Sequence, residues 1–197
     1  MIYLSKGTVQ AGATERLLFV LYCGQRFELT GETASTWLDG RFDFAEAANR
    51  REASVAYLAN LGLVETEPAN DALSRYRIAT RCIFCPADTE RRPMLGRTER
   101  RILQWLKGSG IRLTVAELVY LMEHGIEPAT DLLYTENRQR LIERIYELCD
   151  DEAVRCIYTT DTIADNLLEN QMETAPCRDV VVQGLMRLLK KKMVLVL

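Results

Sequence analysis

The side chains with the most evident chemical use are cations. Arg91, Arg92, Arg97, Arg100 and Arg101 form the densest basic cluster in the sequence. Further on, Asn137, Arg140 and Arg144 recur at helical spacing, with Arg138 beside them. Arginine and asparagine are the side chains that pair bidentately with guanine and adenine, and arginines in clusters neutralise phosphate. The pattern predicts a nucleic-acid surface with backbone contacts from 91–101 and base-edge contacts from 137–144. A plainer reading stays open. Glu136 lies four residues before Arg140 and Glu143 adjoins Arg144, the pattern of a solvated ion-pair lattice on a helix face.

Other reactive types are sparse. Cys82 and Cys85 have the spacing of half a zinc site, but Cys149, Cys156 and Cys177 are scattered and supply no second close pair. Nor does a strand–helix–strand unit surround the pair, as a redox dithiol would need, so a strand end is the simpler expectation. The one histidine, His124, stands before Gly125 at a predicted helix end, where a cation meets the negative end of the helix dipole. A single histidine excludes imidazole-built metal clusters. Neither common phosphate-binding glycine loop is present, and no serine or cysteine carries a nucleophile motif. Asp150 and Asp151 read as a helix-ending turn, and Lys190–Lys192 as the basic end of a helix. The chain is therefore expected to be a binding protein with no catalytic residue, cofactor or metal.

Composition sets the frame for these groups. The chain has 197 residues, 48% of them hydrophobic and 27% charged, with a formal net charge of -3. That excludes a disordered or strongly basic protein. Both halves are slightly acidic, so any basic surface must be local. Residues 1–9 lack the charged start and apolar core of a secretory signal, which predicts a cytoplasmic protein. The run from Pro86 to Pro93 is polar, charged and bracketed by prolines. It suggests two domains, 1–88 and 89–197.

The elements that must position the candidate groups follow from apolar periodicity and punctuation. Leu17–Tyr22 reads as a strand turned back at Gly24-Gln25 into Arg26–Leu29. Thr30 opens a helix with Ala34, Trp37 and Leu38 on one face, and Gly40 stops it. A short helix is predicted at 43–49, and a longer one at 52–61 ends at Gly62. Leu63–Glu65 and Tyr76–Ala79 read as two strands joined by Pro68–Asp71. In the second half, helices are predicted from Thr98 and from Thr114, then at 136–149, 161–170 and 178–190. Val154–Tyr158 reads as a strand. Met193–Leu197 is a wholly apolar strand that must be paired and covered, within the chain or by a second subunit.

A strand, three helices and a two-stranded hairpin, from about Leu29 to Ile83, resembles a winged helix. The phrase Leu29-Thr30-Gly31-Glu32-Thr33-Ala34-Ser35-Thr36-Trp37-Leu38-Asp39-Gly40, closed by Leu61-Gly62-Leu63-Val64, is similar to PqqD-like peptide-recognition domains. Residues 97–158 resemble a second, looser winged helix, its Leu113–Leu118 phrase like the start of a helix-turn-helix. The resemblance implies an α+β, predominantly helical chain of two winged-helix-like domains with small antiparallel sheets. It further implies a DNA-binding or transcription-associated protein, as a homodimer. The PqqD likeness implies an alternative, an adaptor that adds an extended peptide to the sheet around Leu17–Leu29.

Overall fold

The computed structural model describes residues 1–12, 17–90, 92–109, 113–123, 125 and 176–197. The predicted helices at 136–149 and 161–170, the predicted strand at 154–158, and His124 lie outside the described residues. What is described is α+β, with three small antiparallel sheets.

A strand that sequence patterning did not single out organises the first half. β1 (Ile2–Ser5) is buried on both faces. It pairs on one side with β5 (Ala45–Glu46) and on the other with β6 (Val64–Glu67). Beside this sheet stands a meander of β2 (Thr8–Val9), β3 (Leu17–Tyr22) and β4 (Gln25–Thr30). Cys23 and Gly24 close the β3–β4 hairpin, both with positive φ (48° and 77°), as a two-residue turn of type I′ requires. Helix α1 (Gly31–Asp39) follows, and it seats Trp37 in the core with no exposure. Gly40 ends the helix under steric compulsion. A Cβ there would lie 2.7 Å from both the Tyr3 ring and Ser5 Oγ.

Two predicted elements are corrected. The helix expected at 43–49 is β5 followed by one 3-10 turn, Asn49–Arg51, which leads into α2 (Glu52–Asn60). The strand expected at Tyr76–Ala79 lies within helix α3 (Ala72–Thr80). Asp71, taken as a turn residue, is its N-cap and accepts from Ser74 N at 2.7 Å. The alternation of buried Tyr76, half-exposed Arg77 and buried Ile78 imitates a strand. However, the Asp71 cap starts a helix, which packs against β6 and puts Tyr76, Ile78 and Ala79 in the core. The two-stranded wing predicted over 63–79 does not form.

The second half repeats part of this plan. β7 (Phe84–Pro86) is followed by α4 (Arg97–Ser109) and α5 (Val115–Glu123), then α6 (Pro176–Lys190) and β8 (Val194–Val196). β7 pairs antiparallel with β8 as β1 pairs with β6. Trp105 sits in α4 as Trp37 sits in α1, each followed by leucine and then by glycine two residues later. Helices α2 and α6 close identically. Leu63 N donates to Leu58 O and Met193 N to Leu188 O, both 2.9 Å, the long bond of a Schellman cap. After each first strand, Lys6 N donates to Leu63 O (2.8 Å) and Ala87 N to Met193 O (2.9 Å). Among the described residues the chain thus carries one arrangement twice: a first strand, a tryptophan-bearing helix, and a Schellman-capped helix that leads into the strand paired with the first. The second begins with β7, just ahead of the boundary expected at 88.

The repeats are packed together. One buried cluster joins Ile2, Leu4, Tyr76 and Ile78 to Ile102, Leu118, Leu185 and Val194. Gly7 N donates to Val196 O at 2.8 Å, which ties the end of β1 to β8. The apolar terminal strand finds its partner inside the chain. No helix among the described residues is long and apolar enough to cross a membrane.

Candidate functional site

Burial sorts the predicted cations. On α4 the core takes Glu99, Ile102, Leu103, Trp105, Leu106 and Ser109. Arg97 and Arg100 are exposed, while Arg101 is half-buried with its Nε enclosed. The exposed positions Arg97, Arg100, Gln104 and Lys107 recur at three- and four-residue intervals, so they form one stripe. Lys107 belongs to it and was legible from that spacing, but it was not singled out because it stands outside the arginine cluster. Asn137, Arg138, Arg140, Arg144 and Arg91 lie outside the described residues, so the structure does not join them to this stripe.

Most other cations among the described residues are engaged within the molecule. Lys6 is buried, bonds Glu65 Oε1 at 2.7 Å and lies 5.1 Å from the Tyr22 ring centre. Burial alone would lower its pKa, but bonding to Glu65 and Tyr22 outweighs this and raises it. Arg81 pairs with Glu67 and approaches Glu65 at 3.6 Å. Lys191 bonds both oxygens of buried Glu99 (2.9 and 2.7 Å), and Lys190 meets Asp43 at 2.5 Å. Lys192 stands over the Phe42 ring at 5.3 Å. The basic run at 190–192 thus locks α6 to its neighbours.

The cysteine pair is interior. Cys82 and Cys85 are both buried, and Cys85 faces Leu195 across the β7–β8 ladder. Burial pushes the Cys82 thiol up to about 12 and raises that of Cys85. Such thiols are poor nucleophiles and poor ligands, because the thiolate is the reactive form. Among the described residues no three histidine, cysteine, aspartate or glutamate side chains converge to hold a metal.

The meander presents a different surface. Only one face of β3 is buried. Leu18 and Val20 point into the core, and Leu17, Phe19 and Leu21 are half-exposed on the other face. Arg26 lies 3.8 Å over the Phe19 ring. β3 has neighbours on both sides, whereas β4 lies at the sheet edge. The hydrogen-bond phase of β4 follows from one bond. Gln10 N donates to Phe19 O at 2.9 Å, so the Phe19 carbonyl points toward β2 and away from β4. Phe19 opposite Glu28 is therefore a non-hydrogen-bonded pair, and by alternation so is Leu21 opposite Arg26. The backbone N–H and C=O of Arg26 and Glu28 face outward, without a partner among the described residues. In the second repeat, residues 87–96 stand between the first strand and the first helix, and the described ones among them contain no strand.

No protein-family model matches the sequence, and neither a curated protein nor a solved structure does.

Proposed function

We propose that the protein is an adaptor that captures an extended peptide along the outer edge of β4. One observation carries the reading. The meander is what the first repeat adds to the unit both repeats share, and it ends in a six-residue strand with open backbone donors and acceptors. Long open edges are usually blunted in proteins, because they recruit another strand. A peptide paired with Arg26 and Glu28 would have main-chain bonds for affinity, with exposed Arg26, Glu28 and Thr30 to select its side chains. The PqqD-like phrase begins at the end of this strand. On the same reading each repeat is a winged-helix-like unit, with β1 and β7 as the N-terminal strands of their sheets.

Glu28→Pro tests the proposal on the full chain. Proline there removes an outward N–H and leaves the β3–β4 ladder without a lost donor. Wild type is expected to enrich a consensus from a displayed random-peptide library, and Glu28→Pro to lose it at an unchanged melting temperature. Equal enrichment by both proteins, or none by wild type, would reject the reading.

A second reading rests on the α4 stripe of Arg97, Arg100 and Lys107, which suits phosphate contacts of a transcription-associated protein. It ranks below the first because so many of the remaining cations are held by Glu65, Glu67, Glu99 and Asp43. Mobility shifts across a salt series decide it. Binding that weakens with salt and falls on Arg97→Ala with Arg100→Ala would favour it, and no shift at low salt would remove it.

A further inference from the structure

Between the two repeats runs a groove of about 470 Å³, with α6 on one side and β5 with the start of α3 on the other. Its floor is apolar, made by Ile2, Phe44, Val182 and Met186. Each wall carries the same sequence of groups. On the first, Asn70 Nδ2 donates to Glu46 Oε1, and Arg75 Nε and Nη2 donate to Asn70 Oδ1 at 3.0 and 2.8 Å. On the second, Gln183 Nε2 donates to Asp179 Oδ2 at 2.6 Å, and Arg187 Nη2 donates to Gln183 Oε1 at 3.3 Å. Both walls therefore run carboxylate, carboxamide, guanidinium. The Lys190–Asp43 ion pair ties the two repeats together at the groove.

Each of these four charges is bonded to a neutral amide, and none has an opposite charge within ion-pair distance among the described residues. A guanidinium has five donors and a carboxylate about four acceptor positions, so every one keeps capacity. A ligand of net negative charge would meet Asp43, Glu46 and Asp179. One of net positive charge would meet Arg75, Arg187 and Lys190. A zwitterion matches both sets, and each spare donor or acceptor position can form a further charge-assisted bond with its ammonium or carboxylate. The volume lies within the roughly 300–1,000 Å³ of small-molecule sites, which favour interfaces between structural units.

We infer that the groove binds a small zwitterion with apolar side chains, an amino acid or dipeptide with free ammonium and carboxylate groups. The site is separate from the β4 edge and stands or falls without it. The probe is leucyl-leucine, titrated calorimetrically into the full chain, with N-acetyl-leucyl-leucine amide as its charge-free counterpart. Saturable binding of leucyl-leucine is expected, weaker by at least about ten-fold for the blocked compound, as loss of a charge-assisted bond implies. Arg187→Gln and Glu46→Gln should each weaken the dipeptide by about ten-fold and leave the blocked compound unaffected. Equal binding of both compounds, or no saturable binding of leucyl-leucine at millimolar concentration, overturns the inference. That comparison uses the unmodified protein, so it holds even if a variant folds poorly.

Discussion

Gly62 and Lys192 occupy the same position in the two repeats, each the left-handed residue that ends the last helix, with φ of +73° and +59°. Glycine takes this conformation without strain, whereas a side chain with a Cβ resists it by about 1–2 kcal/mol. Lys192→Gly should stabilise the protein by about 0.5–1 kcal/mol, net of the exposed cation–π contact with Phe42. Gly62→Ala should destabilise it by about 1 kcal/mol. Urea unfolding of the two variants checks the opposite signs.

Acid sensitivity should centre on Glu99. Burial alone would raise its carboxyl, but Lys191 and the Gly96 N–H hold it below its ordinary value of 4.5. A lowered folded value means the stabilisation is present above pH 4.5 and is lost as the pH falls through that lower value. Glu99→Gln should flatten the acid limb of a stability–pH curve. Lys191→Met should cost about 2 kcal/mol at neutral pH, because it leaves the buried carboxylate without its cation. An acid limb unchanged in Glu99→Gln would assign the loss to other carboxylates.

Among the described cysteines, thiol reactivity should separate sharply. Cys23 is exposed in the hairpin turn, while Cys82 and Cys85 are buried with raised thiols. Brief alkylation of the native protein followed by peptide mapping should label Cys23 and leave Cys82 and Cys85 unlabelled until denaturant is added. Early labelling of Cys82 would show that β7 opens readily.

The terminal strand should be required for folding. Met193, Val194 and Val196 are all buried, and burial of one such side chain contributes about 2 kcal/mol. A chain ending at Lys192 should melt far below the full chain, or fail to fold. Were the strand instead an interface between subunits, truncation would change the mass in solution and leave melting nearly intact.

Local signals were legible where the chain settles its own geometry. The β3–β4 hairpin, the starts of α1 and α5, the stop at Gly62 and the apolar faces of α2, α4 and α6 follow from turn residues, caps and helical spacing. At α5 the Thr114 Oγ1 and Glu117 carboxylate cap one another's backbone N–H at 3.2 and 2.6 Å, a motif written in four consecutive residues. Arg97 and Arg100 were likewise found on the exposed side of α4.

Tertiary structure decided what depends on partners distant in sequence. Nothing within residues 72–80 says that the segment packs against β6 and the second half, where Tyr76, Ile78 and Ala79 join the buried cluster as one helix begun at the Asp71 cap. The repeat is equally hidden. Its two strand pairs share register but little sequence, because a ladder needs backbone groups and burial rather than particular side chains. The groove required α6 to meet β5, two segments far apart in the chain. By itself the sequence determined the local turns, the caps and most of the helices, and it set Arg97 and Arg100 at exposed positions of α4. Only the strand order within the first repeat determined where an edge is left open, and only the packing of one repeat against the other brought opposite charges to the two walls of one groove.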